Sequence, residues 1–170
     1  EETYKAFFEI LKIEKRQDFI NNELDKRTDY ESDEYLNLIE ELTELTSKYE
    51  ILGGYKYKSK TERILLGLGF KRNDFSKPTK SFSGGWRMRI ELAKLLLREN
   101  DVLLLDEPNN HLDIHSIIWL EQFLVKFRGA VLLVSHDRVF LDNITNRTIE
   151  IIQKKIFDFK KPYSDYIKLR

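Results

Sequence analysis

The chain has 170 residues, with 29 Lys and Arg against 29 Asp and Glu, 41% hydrophobic residues and no cysteine. This length is sufficient for one domain with its own hydrophobic core. The balanced charge points to no particular class of partner, the absence of cysteine excludes disulfides and thiolate metal sites, and no apolar run approaches the ~18 residues of a membrane span.

The amino-terminal part is predicted to form a helical hairpin. Apolar residues recur at helical spacing over residues 3–28 and 33–51, and the polar segment between them is typical of a turn. A glycine pair at 53–54 is well placed to end the second helix. Residues 1–50 carry 15 acidic and 7 basic side chains, whereas residues 51–100 carry 4 and 12. One interpretation is that the acidic segment packs against the basic one.

The segment after the hairpin carries weaker signals. Residues 55–60 are basic and aromatic, which is compatible with a nucleic-acid patch, although a solvated loop is the favoured interpretation. Thr61 suits the N-cap of a short helix that runs to Leu68, and Gly69 fits the C′ position after it. Residues 71–80 are predicted to be a loop.

A helix that can bind an anion at its start is predicted next. Ser83 suits its N-cap, because the hydroxyl can accept a hydrogen bond from a free first-turn N–H. Gly84 and Gly85 allow the backbone to approach a ligand closely, and the positive end of the helix dipole favours an anion there. The buried face of this helix is predicted to consist of Trp86, Ile90, Ala93 and Leu97.

Two strands of a parallel sheet are predicted in the second half of the chain. Residues 102–105 and 130–134 are continuous apolar runs, which suits strands that are covered on both faces. Asp106 and Glu107 follow the first run, and His136 follows the second. Open α/β sheets bind their ligands at the carboxyl ends of the strands, so these three side chains are predicted to share one edge.

The remaining elements complete an α/β pattern. A helix beginning at Ser116 and ending before Gly129 connects the two strands, and a short helix covers residues 139–141. The buried face of the helix that begins at Ser116 is predicted to consist of Ile117, Leu120, Leu124 and Phe127. Residues 147–159 are predicted to form a β-hairpin whose turn lacks the usual glycine, and Ser164 opens a terminal helix.

These segments resemble the motifs of the ATP-binding-cassette (ABC) ATPases. Residues 82–86 (FSGGW) are similar to the signature motif, residues 103–108 to Walker B with its catalytic glutamate, residues 109–113 to the D-loop, and residues 135–137 to the switch-histidine loop. The ABC-F branch is the most similar part of the family, judged by the sequences of three segments, SGGWRMR, DEPNNHLD and SHDRVFLDNIT. Each motif alone is weak, but their order and their places at element ends are specific.

The resemblance implies ATP hydrolysis with Mg²⁺. It assigns Glu107 and His136 to catalysis, because a glutamate can orient and deprotonate the attacking water and an imidazole can hydrogen-bond the γ-phosphate. It assigns Asp106 to Mg²⁺, held through water. The residues expected to contact the nucleotide or the partner domain are Ser83, Gly84, Gly85 and Asp113.

A hydrolase triad of Ser135, His136 and Asp137 is the rival enzymatic interpretation. It is disfavoured, because adjacent residues on a strand point to opposite faces and no nucleophile elbow is present.

The resemblance also implies an organisation and partners. Residues 1–80 would form a helical subdomain whose hairpin, about residues 14–51, occupies the place of the ABC-F arm. Residues 81–160 would form the signature helix and a partial P-loop NTPase core, and residues 161–170 the start of an interdomain linker. The expected fold class is therefore α/β with a helical hairpin. The expected partners are a second ABC domain and the ribosome or tRNA, in the cytoplasm.

Two departures from the family pattern change these expectations. Asn109 stands where relatives usually have Thr, which keeps a polar side chain. No G-x-x-x-x-G-K-[ST] phosphate loop occurs in residues 1–170. The chain is therefore expected to be part of a longer protein, to bind ATP poorly alone and to self-associate through uncovered strand edges. The alternatives are an ABC transporter ATPase subunit and a non-enzymatic module whose helical hairpin binds a partner.

Overall fold

The computed structural model describes residues 1–98 and 100–169. This part of the chain forms helices and strands in the order α1, α2, α3, α4, β1, α5, β2, α6, β3, β4 and α7. Their bounds are α1 Phe8–Leu24, α2 Asp33–Ile51, α3 Tyr57–Gly67, α4 Gly84–Leu97, β1 Val102–Asp106, α5 Ile114–Val125, β2 Ala130–Val134, α6 Arg138–Ile144, β3 Thr148–Ile152, β4 Lys155–Phe159 and α7 Tyr163–Leu169. None of the helices in this part combines the length and apolarity required to cross a bilayer.

The predicted helical hairpin is confirmed. Helix α2 begins as expected, because the Ser32 hydroxyl accepts a hydrogen bond from the Tyr35 N–H at 3.1 Å. Side-chain pairs fix the antiparallel register. They are Glu14 with Tyr49, Gln17 with Thr46, and Arg27 with Glu34. Helix α1 buries Ile10, Ile13 and Ile20, whereas α2 buries no residue, so α2 is the outer helix.

The acidic and basic segments are joined by an ion pair between Glu2 and Lys94 of α4 at 3.1 Å, in the way the charge distribution suggested. The hairpin also pairs charges within itself. Its arginines bind its own carboxylates: Arg16 pairs with Glu41 at 2.6 Å, and Arg27 with Asp29 and Glu34. These pairs are local because the two helices bring both charges to the same seam. They are exposed and therefore contribute little to stability.

Helix α3 begins four residues before the predicted N-cap. Thr61 is buried inside it, and its hydroxyl donates to the Tyr57 carbonyl at 2.8 Å. The predicted solvated loop at residues 55–60 is also wrong, because the buried Tyr57 ring packs against Tyr4 and Phe7 and draws this segment into the helix. The Tyr57 hydroxyl donates to Glu14 at 3.0 Å, so α3 anchors the base of the hairpin.

The predicted end of α3 is confirmed. Gly69 adopts a φ of 88°, a conformation that favours glycine. The N–H of Gly69 donates to Leu66 and the N–H of Phe70 to Leu65, which is the Schellman pattern. The chain thereby turns towards the two short 3₁₀ turns that precede α4.

Strands β1 and β2 pair in parallel, with Val102 opposite Ala130 and Asp106 opposite Val134. One face of this sheet is buried, with Leu103 and Leu105 in a core that includes Leu97 and Leu120. The other face is open: Leu104 is 67% exposed. The expectation of burial on both faces is therefore wrong for this chain, because the packed helices cover one face. The self-association expected from uncovered strands stays a prediction.

The carboxyl-terminal elements follow the sequence closely. Strands β3 and β4 form an antiparallel hairpin, and Gln153 and Lys154 make its two-residue turn with φ values of 47° and 66°. This is the conformation of a type I′ turn, reached here without glycine. Helix α7 is held by Asp142, which accepts hydrogen bonds from the N–H and the hydroxyl of Ser164.

Candidate active site

The carboxyl ends of β1 and β2 bring the predicted catalytic residues together. Glu107 has a φ of 46°, so the chain turns sharply as it leaves β1, and its N–H donates to the Val134 carbonyl at 2.8 Å. This bond extends the parallel ladder by one step. It fixes the backbone of Glu107 beside the first residues after β2, which include Ser135 and His136.

One oxygen of the Glu107 carboxylate has no hydrogen-bond partner among the described residues. That atom, Oε1, is buried, and it lies 3.8 Å from Nε2 of His136, whose side chain is fully exposed. The second oxygen, Oε2, accepts a hydrogen bond from the Ser135 hydroxyl at 3.4 Å. A buried acceptor without a partner is costly in a folded protein, so it indicates a group that is completed by a ligand or a water.

Ser135 positions the site from the β2 side. Its hydroxyl lies 3.4 Å from Glu107 and 3.2 Å from Oδ1 of Asn109, and it accepts the N–H of Asp137 at 3.1 Å. The polar side chain of Asn109 therefore contacts Ser135. The sequence signalled this serine only as part of the switch-histidine motif.

Asp106 ends β1 on the exposed face of the sheet. Its carboxylate makes no hydrogen bond or ion pair with another described residue, which leaves its oxygens available to a hydrated cation. The described residues contain no cluster of three metal-ligating side chains. A Mg²⁺ ion that keeps most of its water shell and binds substrate phosphates requires only one or two carboxylates, so Asp106 fits that role.

The contacts of Asp137 contradict the hydrolase triad. Its carboxylate accepts the N–H groups of Val139 and Phe140 and so caps α6. The one hydroxyl proton of Ser135 is shared between Glu107 and Asn109, at 3.4 and 3.2 Å, and is not directed at His136. The proton relay of a triad therefore has no path through these residues.

The glycine-led start of α4 forms a second group. Ser83 occupies the N-cap position as predicted, but its hydroxyl makes no capping bond and is exposed. A Cβ added to Gly84 would meet no atom within 4 Å, whereas one on Gly85 would lie 3.3 Å from Cβ of His111. Gly84 therefore faces open space, and Gly85 allows α4 to pack on the D-loop.

Arg89 joins this helix start to the D-loop, and the sequence analysis missed it. Its guanidinium donates to the carbonyls of His111 and Leu68 and to the Asp113 carboxylate, at 2.5 to 3.0 Å. It also lies 4.4 Å from the centre of the Trp86 ring. The signal was available, because position 89 falls beside Ile90 on the buried face of α4.

Both carboxylate oxygens of Asp113 accept hydrogen bonds from residues of the same chain. One oxygen accepts the Ser116 N–H, and the other accepts Arg89 and the Ser116 hydroxyl. Helix α5 therefore begins at Ile114, and the predicted start at Ser116 is wrong because the aspartate caps it. The Ser116 N–H and then Arg89 lower the pKa of Asp113 from 3.8 to about 2.

We expect Asp113→Asn to reduce the pH dependence of the free energy of unfolding below about pH 4. The lowered pKa means that the ionised carboxylate stabilises the folded chain above about pH 4, and this contribution is lost as the pH falls towards 2. Asparagine keeps an acceptor for the Ser116 N–H and caps a helix about as well, so the change removes the charge and the second acceptor that bind Arg89. Chemical unfolding between pH 5 and pH 2 should show the wild type losing its advantage over the variant, and a constant difference would contradict the assignment.

The fold and the strand-end site define the class of protein: the core is that of a P-loop ATPase. Residues 9–110, more than half of the chain, match the family described as "ABC transporter". The fold agrees with that of "RNase-L Inhibitor", with a TM-score of 0.51 at 24% identity over 66% of this chain and 23% of that chain.

Similar proteins identify the branch of the family to which the chain belongs. The chain is 42% identical over 125 residues to "Probable ATP-binding protein YheS" of Haemophilus influenzae, covering 74% of this chain and 20% of the relative. It is 41% identical over 128 residues to "ATP-binding cassette sub-family F member 3" of Homo sapiens, covering 75% and 18%. The chain belongs to the ATP-binding-cassette family, in its ABC-F branch. It spans about one fifth of the length of these relatives.

Proposed function

We propose that the protein containing this chain hydrolyses ATP at a site shared between two cassettes, to which this chain contributes the catalytic strand ends. The observation that carries the proposal is the buried, unpaired Oε1 of Glu107 beside the exposed His136. ATP turnover by the complete protein, compared with that of its Glu107→Gln variant, tests the proposal.

The residues at the strand ends would divide the work. Glu107 orients the attacking water and takes its proton, while Ser135 holds the carboxylate in place. His136 hydrogen-bonds the γ-phosphate or the water, since its side chain is free to face a ligand. Asp106 would hold Mg²⁺, which neutralises phosphate charge when bound.

Ser83, Gly84 and Gly85 would contact the phosphates of a nucleotide that is held by a second cassette. The exposed, uncapped Ser83 hydroxyl and the open space at Gly84 support this role, as does the positive end of α4. Asp113 and the rest of the D-loop would lie at the same interface, with the Asp113 carboxylate shaping the loop through Arg89. Since residues 1–170 lack a phosphate loop, we propose that the chain alone binds ATP poorly.

The hairpin of α1 and α2 would couple ATP use to a macromolecular partner. We propose a cytoplasmic protein that acts on the ribosome, as the ABC-F resemblance implies. An interaction module without enzymatic activity is the second candidate, because α2 buries no residue and exposes Leu36 and Ile39. The ABC transporter alternative has no such specific support among the described residues.

Removing the outer part of the hairpin separates these two candidates. Residues 18–45 are replaced by a short Gly-Ser linker between Gln17 and Thr46, which already contact each other at 3.1 Å. The base of the hairpin, where Tyr49 donates to Glu14, stays intact. In the complete protein we expect ATP hydrolysis to be retained and co-sedimentation with ribosomes to fall at least about tenfold, which is a loss of about 1.4 kcal/mol.

Unchanged co-sedimentation after this deletion would remove the hairpin from ribosome binding. Equal binding by the hairpin alone and by the complete protein would favour the interaction module. ATP hydrolysis without ribosomes is the control for folding of the shortened protein.

A further inference from the structure

A groove lies at the amino ends of β1 and β2, at the opposite edge of the sheet from Glu107 and His136. It has a volume of about 780 Å³ and includes Asp101 and Gly129, the residues just before the two strands. A strand of five residues separates the two edges by about 13 Å. The groove is therefore distinct from the proposed ATP site.

The walls of the groove are basic. Arg63 of α3, Arg98 after α4, and Lys126 and Arg128 between α5 and β2 line it. All four are exposed, and none makes a hydrogen bond or ion pair through its side chain with another residue in the described part of the chain. Lys60 also lines the groove but has an interaction of its own, so nothing here depends on it.

The positive charge persists when nearby acids are counted. With Lys60 left out, the four unpaired basic side chains stand against Asp101 and against Glu99, which is next to the groove in sequence, for a net charge of +2. Unpaired cations that converge on one concave surface repel one another. Such a surface attracts anions, because a cleft lined by charges of one sign concentrates the opposite charge.

Aromatic side chains form the floor. Trp119, Phe123 and Phe127 line the groove, and each is partly exposed. The rings of Trp119 and Phe123 lie 5.4 Å apart with an angle of 30° between their planes. These rings pack against the core and leave only part of their surface open to the groove. Cations along a groove together with exposed aromatic surface are the combination that binds single-stranded nucleic acid, because the cations contact phosphates and the rings stack on bases.

We infer that this groove binds a single-stranded segment of RNA, with phosphates on the four cations and a base against Trp119. The choice of RNA over DNA rests on the proposed function at the ribosome, and the surface itself is independent of ATP chemistry. Helices α4 and α5 both begin at the signature and D-loop end and finish at the groove. An RNA bound there would contact the far ends of the two helices whose starts carry Ser83 and Asp113.

The test is a fluorescence titration of the complete protein, without ATP, with a short oligouridine at several salt concentrations. Stacking on Trp119 should quench its emission, and Trp119→Phe should abolish the quenching while Trp86 still emits. The slope of log K against log salt should be about −2.8, since each of the four phosphate contacts on a single strand contributes about −0.7.

Two double variants are compared, and each removes two positive charges, one variant inside the groove and the other outside it. Arg63→Gln with Arg128→Gln should weaken binding about tenfold and reduce the slope to about −1.4. The control, Lys15→Gln with Lys155→Gln, lies outside the groove and should leave both unchanged. Circular dichroism confirms that each variant is folded, which is expected because all four side chains are exposed.

Several results would overturn the inference. They are equal weakening by both pairs, quenching that survives Trp119→Phe, and tighter binding of polyglutamate or inorganic polyphosphate than of the oligouridine. None of these outcomes depends on ATP hydrolysis, so a failure here is distinguishable from a failure of the proposed ATPase activity.

Discussion

Replacing Glu107 by glutamine in the complete ATPase is expected to slow ATP hydrolysis by about 10²- to 10⁴-fold, the usual contribution of a general base. Glutamine has the same shape and can still accept the hydrogen bond from the Ser135 hydroxyl. It cannot take a proton from water. The glutamine amide would occupy the place of the buried, unpaired Oε1, so the site keeps its shape and ATP should still bind. Because hydrolysis is slow, the bound ATP should remain on the protein.

The measurement is single-turnover hydrolysis of ATP together with retention of nucleotide on the protein. Glu44→Gln, an exposed carboxylate on α2, is the control and should hydrolyse ATP at the wild-type rate. His136→Ala should also slow hydrolysis without loss of Mg²⁺ or ATP binding. An unchanged rate in Glu107→Gln would remove Glu107 from its catalytic role.

Arg89→Met is expected to lower the free energy of unfolding of the chain by about 2 kcal/mol, the scale of removing charged hydrogen bonds and leaving their backbone acceptors without a donor. The Arg89 side chain is only 10% exposed. Methionine would leave the carbonyls of His111 and Leu68 without their donor. The start of α4 and the D-loop would then lose the contact that holds them together.

Urea unfolding measures this effect against a matched control. Arg87 lies on the same helix two residues earlier and is exposed, so Arg87→Met should change the free energy of unfolding by less than about 0.5 kcal/mol. Arg89→Lys should recover only part of the stability, because an ammonium cannot reproduce the planar fork of donors. Equal midpoints for the Arg89 and Arg87 variants would show that the cluster is not stabilising.

The sequence by itself determined the order of elements and the places of the site residues. Ser83 lies at the predicted N-cap position of α4, although its hydroxyl makes no capping bond. Strands β1 and β2 have the bounds that their apolar runs predict, apart from Asp106 at the end of β1. Glu107 and His136 are adjacent because parallel strands end at the same edge. These features follow from spacing along the chain, which the residues themselves carry.

The tertiary structure alone decided the features that depend on distant segments. The start of α3 depends on where the Tyr57 ring is buried, and the uncovered sheet face depends on which elements pack against it. Arg89 acquires its role from the carbonyls of Leu68 and His111, which lie 21 and 22 residues away. Hydrogen-bond partners and burial are properties of three-dimensional neighbours, and a pattern with a period of two or 3.6 residues does not specify them.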